Sequence, residues 1–408
     1  MVGSLRASKE GLDIVEQARK KKGWTKTALT WCEKALTTEA TLKRFWRLVP
    51  IQQESFTKIC EVVGVDWENV VDENFSLPTG TPRIDWEQPI DVSIFYGRKK
   101  ELATLEKSVF KDRLAIVSGL GGIGKTTLVG KLWENIKGKG EFEYVIQRSL
   151  CNKPPLSELL NDLIEFLSDD EEKTGGIFQL MGYLRKQRCL LILDNVEAIM
   201  SSDKLAGFFC PEYQDYSDLI KRVKAEQHKS CLLLISWERP KDSVGLLGEK
   251  VGFLRLSGLE QEAQELLKAQ GLLGTDKELE TLNKLYAGNP GSLKLISALI
   301  QELFDGRVQN YLRSGTIVVV LNEILAQHFS RLSDLETKIM INLAMNSEPS
   351  SLSQLIEEIS SQPASKVMEA VNSLINRSLI EKISSEVGEV LFSLLPEVRK
   401  YVKSKFVK

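Results

Sequence analysis

Residues 119–126 carry a distinct chemical pattern, GLGGIGKT, which fits the spacing G-x4-G-K-[ST]. Glycines let the backbone turn so tightly that successive N–H groups can point at phosphate oxygens. The lysine adds a positive charge, and the following hydroxyl can ligate Mg²⁺. The pattern predicts a loop that binds nucleotide phosphates, formed by Gly119, Gly121, Gly122, Ile123, Gly124, Lys125, Thr126 and Thr127.

The residues on either side of this phosphate loop favour the same interpretation. An apolar run at 114–117 precedes it and predicts a buried strand, and a helical run at 127–135 follows it. The start of a helix adds the positive end of its dipole to such a site. A chance glycine-rich turn is the alternative, and the strand–loop–helix context disfavours it.

A candidate metal ligand follows another apolar run. Residues 189–193 read CLLIL and lead to Asp194, at the carboxyl end of a predicted strand, where parallel sheets bind ligands. With Thr126, Asp194 would hold Mg²⁺, in its case through water. The alternative is an acid that merely begins a loop. Lys125, Asp194 and Asn195 are the candidate catalytic residues.

The elements that position these residues are short apolar runs alternating with amphipathic helices. Besides 114–117, the runs are 144–146, 190–193, 232–235 and 251–256. Buried strands separated by helices predict a parallel sheet covered on both faces. The predicted fold class is multidomain, α and α/β, around a P-loop core at 93–257.

The segments outside this core are predicted to be mainly helical. Residues 1–73 form a small helical domain, because apolar residues recur at three- and four-residue spacing, and the proline-interrupted stretch 74–92 forms a linker. Residues 258–314 form a helical lid, with helices near 259–271, 276–287 and 291–304.

The last segment, 315–408, is predicted to be a winged helix. Its apolar spacing places helices near 319–345, 351–359 and 364–377. They are followed by a hairpin, with strands at 379–383 and 389–393 around a turn at 384–388.

Composition restricts the class of protein. The 408 residues carry a net charge of −2, with 42% apolar and 27% charged residues, so no overall field attracts nucleic acid or membrane. Six scattered cysteines without a CxxC pair argue against disulfides and a zinc site, and two histidines nearly exclude His-based triads. The charged start is unlike a signal peptide, and no apolar run approaches about 20 residues, so a cytoplasmic protein without membrane contact is predicted.

Four ordered motifs give residues 93–408 a resemblance to the NB-ARC proteins of the STAND class of signalling ATPases. They are FYGRKKEL at 95–102, GLGGIGKTT at 119–127, LLILDNVE at 190–197 and AGNP at 287–290. Residues 1–73 resemble, more weakly, the helix-turn-helix-like domain that precedes this module in some bacterial members.

The resemblance implies a cassette of ATPase domain, lid and winged helix that stays closed around ADP and opens into a homo-oligomer on exchange for ATP with Mg²⁺. Ile94, Phe95 and Arg98 would line the adenine and ribose end, and residues 121–127 would bind phosphates. Pro290 would pack on the adenine, although it also suits the first position of a helix. The preference for adenine follows from the resemblance alone.

The sequence departs from the family pattern at three places. Asn195 replaces a second acid, so hydrolysis should be slow unless Glu197 substitutes; Glu197 is otherwise a solvated residue at a helix start. Trp237 replaces the family's sensor arginine, while Ser236 keeps the expected hydroxyl. Arg239 would then reach the phosphate by a shifted route or be an ordinary surface cation.

The third departure concerns a histidine that relatives place near the final helix, against the β-phosphate of ADP. Leu395 occupies the position of that histidine in this sequence. The resemblance therefore implies that ADP is bound less tightly in the closed state, or that other groups bind its β-phosphate. Relatives also often continue into sensor repeats after the winged helix, and none is present in this sequence.

The N-terminal segment leaves the partner open. Residues 1–50 hold 11 Lys and Arg against 5 Asp and Glu, interleaved with aromatic residues. A protein partner with a solvated basic face is one interpretation, and DNA bound through residues 1–73 is the other. The leading hypothesis is therefore an ATP/ADP signalling switch, with a nucleotide-gated transcription regulator as the alternative; a small-molecule kinase lacks an acceptor motif.

Overall fold

The computed structural model describes residues 4–49, 51–72, 82–169, 171–202, 204–245, 249–384 and 388–407. The chain divides into two compact units, one of Met1–Thr81 with Gly138–Glu141 and the other of Pro82–Lys137 with Phe142–Lys408. Each unit has its own hydrophobic core, and each is described by itself.

Helices and a two-stranded ribbon form the N-terminal unit. Its elements are β1 (Ser4–Leu5), α1 (Lys9–Lys21), α2 (Leu29–Lys34), α3 (Glu39–Trp46), β2 (Ile51–Gln52) and α4 (Gln53–Val63). Trp31, Phe45 and Phe56 are buried among these helices, and Trp31 Nε1 donates to the carbonyl of Ile59 at 3.1 Å. Helix α3 starts where the Thr38 hydroxyl accepts the N–H of Thr41, an N-cap that satisfies one free backbone donor.

A six-stranded parallel sheet is the centre of the second unit. Its strands are β3 (Arg83–Trp86), β4 (Leu114–Ser118), β5 (Tyr144–Ser149), β6 (Cys189–Asp194), β7 (Cys231–Ser236) and β8 (Val251–Arg255). Their order is β3-β5-β6-β7-β4-β8, and every pairing is parallel. Every residue of β4, β6 and β7 is buried, as the uninterrupted apolar runs predicted.

The prediction of a linker at 74–92 is wrong for residues 83–86. These residues form β3, which pairs with β5 at the edge of the sheet. Prolines at 82 and 89 suggested an irregular segment, but both lie outside the strand, and an edge strand tolerates neighbouring prolines. Residues 73–81 lie outside the described residues.

Helices cover both faces of the sheet. They are α5 (Lys99–Lys111), α6 (Lys125–Ile136), α7 (Leu156–Leu167), α8 (Ile177–Lys186) and α9 (Asp215–Ala225). Leu114 and Ile116 of β4 join the cluster formed with α7, α8 and α9, whereas the alternate residues Ala115 and Val117 join the cluster with α5 and α6. This alternation follows from the two-residue period of a strand.

Four helices follow the sheet and are here called the lid helices. They are α10 (Ala263–Ala269), α11 (Asp276–Leu285), α12 (Pro290–Phe304) and α13 (Val308–Arg313). The sequence pattern predicted the first three. Tyr286 and Tyr311 close their shared core with a hydrogen bond of 2.7 Å between the two hydroxyl groups.

The C-terminal module comprises the described residues after 315. Its elements are α14 (Asn322–Phe329), α15 (Asp334–Met345), β9 (Ser350–Ser351), α16 (Leu352–Glu358), α17 (Ala364–Asn376), β10 (Glu381–Ser384), β11 (Val390–Ser393) and α18 (Pro396–Phe406). The strands form an antiparallel sheet in the order β10-β11-β9. The helix predicted near 319–345 is divided in two, because Ser333 and Glu336 form a capping box that starts α15. Of the predicted hairpin turn, residues 385–387 lie outside the described residues.

Among the described residues, no helix combines the length and the apolar character that crossing a membrane requires.

Candidate nucleotide-binding site

The phosphate loop lies between β4 and α6, at the carboxyl edge of the sheet. Gly122 and Gly124 have φ angles of 77° and 93°, in the left-handed region that glycine adopts without strain. Gly124 is the N-cap residue of α6, so the first backbone N–H groups of this helix open toward the loop. The sequence therefore builds a helix start of the kind that can bind an anion, and phosphate binding by these residues stays a prediction.

Lys125 is buried against the first half of this loop. Its Nζ donates to the carbonyls of Gly119 at 2.8 Å and Leu120 at 3.2 Å, and the residue is 8% exposed. Burial lowers the pKa of Lys125 to about 8, and the carboxylates of Glu197 and Asp194 oppose this shift. A phosphate at the loop would add negative charge beside this ammonium and favour its protonated form.

Thr126 and Asp194 meet at the end of the sheet. The Thr126 hydroxyl donates to Asp194 Oδ2 at 2.7 Å, and Asp194 is buried at the last position of β6. Burial raises the pKa of the Asp194 carboxyl, while the hydrogen bonds from Thr126 and the Asn195 backbone N–H lower it. A hydroxyl and a carboxylate so close together fit the oxygen ligands of Mg²⁺.

No cluster of three or more His, Cys, Asp or Glu side chains within the described ranges could hold a metal ion without other ligands. Mg²⁺ is usually held by one or two carboxylates together with substrate phosphates and water. The donor set of Thr126 and Asp194 matches that description.

The two polar residues after Asp194 point in different directions. Asn195 has a left-handed backbone, with φ at 57°, and its amide Nδ2 donates to the Ser149 hydroxyl at the end of β5. Glu197 is only 6% exposed, and its Oε2 accepts the backbone N–H of Trp237 at 3.2 Å. The interpretation of Glu197 as a solvated residue is therefore wrong. Burial raises the pKa of its carboxyl, and the positive charge of Lys125 opposes this.

The motif upstream of the loop reaches it through Arg98. This arginine is the N-cap residue of α5 and is buried; it pairs with Glu101 at 2.9 Å and lies 3.5 Å from the Ile123 carbonyl. Phe95 packs on the sheet face that α5 and α6 cover, whereas Ile94 is 56% exposed. The structure therefore brings Arg98 to the loop, and Ile94 lies at the surface.

The lid helices contact the loop through the neighbours of Pro290. Asn289 Nδ2 donates to the Gly121 carbonyl at 2.9 Å, and the N–H of Gly291 donates to the Gly122 carbonyl at 3.0 Å. Pro290 itself is the first residue of α12, behind the N-cap Asn289. The sequence pattern pointed to Pro290 and not to Asn289, although Asn-Pro is a typical helix start.

The end of β7 differs from its predicted role. Ser236 is fully buried, and its hydroxyl accepts the N–H of Glu238. Arg239 donates to the Ser243 carbonyl at 3.2 Å, and its guanidinium lies 4.4 Å from the ring centre of Phe253 in β8. These contacts hold Arg239 beside β8, so it is not a simple surface cation, and its shifted route to the phosphate stays a prediction.

A histidine without a predicted role lies at the loop. His328, in α14, accepts the backbone N–H of Gly121 with Nε2 at 3.3 Å and stacks on Trp237, with ring centres 4.0 Å apart. It is 2% exposed, and burial together with the charges of Lys125, Arg331 and Arg377 holds its pKa well below the usual value. No local sequence pattern predicts this contact, which joins residues 207 positions apart.

A cavity of about 250 Å³ adjoins the loop. Leu120 and Ile123 of the loop line it together with residues after β8, from the lid helices and from the C-terminal module, among them Gly258, Tyr286, Asn289, Leu321, Leu395 and Glu397. Leu395, the residue in the expected histidine column, thus faces this cavity and gives it an apolar wall.

Comparison with known proteins agrees with this site. Residues 99–211 match the NB-ARC domain family. An uncharacterized WD repeat-containing protein of Nostoc sp. strain PCC 7120 is 34% identical over 462 aligned residues, which cover 100% of this chain and 36% of that protein. The chain therefore spans about a third of this relative's length.

Two further similarities cover parts of the chain. A probable disease resistance protein of Arabidopsis thaliana is 30% identical over 32% of this chain and 17% of its own length. The solved structure of a Walker-type ATPase of Pyrococcus abyssi aligns with a TM-score of 0.50 at 15% identity, covering 79% of this chain and 98% of that one. Residues 99–211 are thus similar to NB-ARC domains, and the chain shares its fold with that ATPase structure.

Proposed function

We propose that this protein is an ATP/ADP-binding switch of the STAND class, in which exchange or slow hydrolysis of the nucleotide controls domain opening and self-association. The contact between Thr126 and Asp194 carries the proposal, because it places a hydroxyl and a carboxylate side by side at the mouth of the phosphate loop. This is the arrangement that a Mg²⁺-bound nucleotide requires.

Each part of the ligand has residues suited to it. The backbone N–H groups of residues 121–127 and the ammonium of Lys125 would bind the phosphates, and Thr126 and Asp194 would hold Mg²⁺. The bound metal would neutralise charge on the phosphates. Arg98 would contribute at the nucleoside end, where it already lies against Ile123.

Slow hydrolysis follows from the residues beside Asp194. The amide of Asn195 cannot accept a proton, and it is engaged by Ser149. The Glu197 carboxylate is buried and holds the N–H of Trp237. Neither side chain is then an efficient general base for the attacking water, so hydrolysis should be slow. Slow hydrolysis supports a switch rather than a fast ATPase.

The domain arrangement supports the same function. We assign residues 82–257 to the ATPase domain, 258–314 to the lid and 315–408 to a winged helix, since α15 to α17 and the β10–β11 hairpin have the order of that fold. The lid and the C-terminal module both contact the phosphate loop, through Asn289 and His328. A change in the conformation of the loop would therefore alter the contacts of both the lid helices and the C-terminal module.

The test begins with the protein purified without added nucleotide, denatured, and its released ligands separated by chromatography. Near-stoichiometric ADP is the expected result, with rebinding of ADP and Mg·ATP after removal. Lys125→Ala should abolish binding, whereas Lys131→Ala, which changes a half-buried lysine paired with Glu134 on the same helix, should leave it unchanged. An empty wild-type protein that binds neither nucleotide would refute the proposal.

Self-association is tested separately by light scattering of the full chain. The ADP-bound protein should have a lower molar mass than the protein loaded with a slowly hydrolysed ATP analogue and Mg²⁺. Equal masses in both states would remove oligomerisation from the proposal and leave the nucleotide switch standing.

DNA binding through the N-terminal unit is the second candidate, and one observation favours it. Helix α3 exposes Lys43 and Arg44 in the unit whose first residues are rich in basic side chains. Binding of the full chain to duplex DNA should weaken steeply with salt, and Lys43→Glu with Arg44→Glu should weaken it further. Absence of binding at low salt would leave residues 1–73 as a protein-binding domain.

A further inference from the structure

Strand β3 forms one edge of the parallel sheet. It pairs with β5 on one side, and no strand of the described residues pairs with its other side. The N–H of Arg83 donates to the Glu143 carbonyl at 2.9 Å. Because a parallel ladder uses every second residue of a strand, the peptide groups of Ile84 and Trp86 face away from β5. Within the described residues, these outward groups have no hydrogen-bond partner.

The two faces of β3 differ in chemistry. Trp86 packs against the core on the face that α5 and α6 cover, and Ile84, on the same face, is 47% exposed. Asp85 lies on the opposite face, where its Oδ2 accepts Nη2 of Arg148 at 2.6 Å. A strand added to this edge would therefore meet apolar side chains on one face and a carboxylate on the other.

A groove of about 460 Å³ lies on the acidic face of β3. Arg148, one of its lining residues, forms ion pairs with Asp85 at 2.6 Å and with Asp162 of α7 at 2.5 Å. Glu87 and Glu158 line the groove as well. Four carboxylates thus stand against one guanidinium among the described residues of the groove, so electrostatic attraction favours a basic side chain there.

A second copy of the same edge is a poor occupant of this surface. Two β3 strands side by side would bring Asp85 and Glu87 of one copy next to the same carboxylates of the other, and like charges destabilise a pair of strands. The strand is also only four residues long, and prolines at 82 and 89 limit its pairing with itself. The chemistry of the edge therefore fits a segment of a different protein.

We propose that β3 binds an extended segment of a partner protein, in which basic and apolar residues alternate, as a seventh strand of the sheet. The peptide groups of Ile84 and Trp86 supply the main-chain hydrogen bonds, as in other proteins that add a peptide strand to a sheet edge. Every second side chain of the segment is basic and enters the groove, and the apolar side chains between them lie beside Ile84. The inference goes beyond the proposed function, because it requires no bound nucleotide.

The experiment uses a short fluorescent peptide of alternating lysine and valine, and the readout is its anisotropy on titration with the full chain. Saturable binding at low salt is expected, and it should weaken as salt screens the charges of the groove. The same peptide with every peptide nitrogen methylated keeps its charges but loses its backbone donors. It should bind the wild type about tenfold more weakly.

Variants of the full chain separate the edge from the groove. Ile84→Pro removes an outward N–H and leaves the bond from Arg83 to β5 in place, so peptide affinity should fall about tenfold, whereas Ile84→Val should bind as the wild type does. Glu158→Lys reverses one charge of the groove and should weaken binding about fivefold. Its control is Glu265→Lys, which makes the same change at an exposed position of α10 and should have no effect.

Three outcomes would overturn the inference. Equal affinity of the wild type for the methylated and unmethylated peptides would mean that charge alone attracts them, whether or not Ile84→Pro folds. Absence of saturable binding of the alternating peptide to the wild type would remove the docking surface. A lower molar mass of Ile84→Pro than of the wild type in light scattering would assign the edge to a second copy of the chain.

Discussion

The imidazole of His328 is held neutral by its surroundings. It is buried, and the positive charges of Lys125, Arg331 and Arg377 all disfavour a proton on it. A neutral ring keeps a lone pair on Nε2, which is what the Gly121 N–H needs as an acceptor. The contact at the loop therefore depends on the protonation state of one ring.

This burial predicts a pH dependence. The unfolded chain would protonate His328 below a pKa of about 6.5, while the folded chain resists it. The unfolded state then binds more protons, so the free energy of unfolding should fall as pH decreases from about 6.5. Thermal melts between about pH 7.5 and 5.5 should show a steeper fall of the melting temperature with decreasing pH for the wild type than for His328→Gln. Parallel curves would show that His328 does not contribute.

A second prediction concerns the hydroxyl of Thr126. Removing it in Thr126→Ala should reduce the gain in ATP affinity that Mg²⁺ provides by about tenfold, the value of a hydrogen bond or ligand to a charged group. Thr126→Ser should retain the gain. The readout is ATP affinity with Mg²⁺ and with a chelator, and Thr104→Ala, on the exposed surface of α5, is the control. An unchanged Mg²⁺ effect in Thr126→Ala would contradict the assignment.

At the scale of elements, α14 packs closely on the phosphate loop at Gly121. Gly121→Ala would push a methyl group into Ile324, and either α14 or the loop must move. Without nucleotide, the variant should lose about 1–3 kcal/mol of stability, the usual cost of overpacking. Ile324→Ala in the same chain should restore part of it.

The control for Gly121→Ala is Gly182→Ala in α8. A Cβ there meets no atom within 4 Å, and alanine is a better helix former than glycine, so stability should rise slightly. Chemical denaturation of the four chains measures the effect. Equal stability of Gly121→Ala and the wild type would mean that α14 is not pressed against the loop.

How far the elements follow from sequence depends on the range of the interactions that define them. The runs CLLIL and CLLLI were recognised as strands because strands covered on both faces are apolar throughout. Strand β3 was missed because RIDW is short and lies between prolines at 82 and 89, which indicated an irregular segment. The break between α14 and α15 was missed because the apolar spacing continues across the capping box of Ser333 and Glu336.

The same holds for the candidate site. The loop, Thr126 and Asp194 could be predicted because local spacing specifies them. The contacts of His328, Asn289 and Arg239 could not, because they depend on packing between segments far apart in the chain. A family column pointed to Leu395, whereas the imidazole at the loop comes from α14.

At the scale of the whole molecule, a buried charge network ties the C-terminal module to the ATPase domain. Arg377 donates to the Lys204 carbonyl and pairs with Glu238 and Glu336, while Arg331 pairs with Glu238. Removing one partner from such a network leaves an uncompensated buried charge. The module is thus held by contacts that are costly to break singly.

Arg377→Met should therefore destabilise the chain by about 3–5 kcal/mol. The double variant Arg377→Met with Glu336→Gln should lose less stability than the two single variants together. The reason is that Glu336→Gln removes the buried carboxylate charge that Arg377→Met leaves without its partner. Denaturant unfolding measures all four chains. Lys284→Met, which removes an exposed pair, should cost no more than about 1 kcal/mol. Strict additivity would show that the two charges do not interact.

Strand β3 has a consequence for how the domain around the parallel sheet can be isolated. The match to the NB-ARC family begins at residue 99, after the strand at Arg83–Trp86 that pairs with β5. A fragment starting at 99 would leave the backbone donors and acceptors of β5 without their neighbour, and an open sheet edge templates self-association. Such a fragment should precipitate on expression, whereas one starting at 82 should remain in solution.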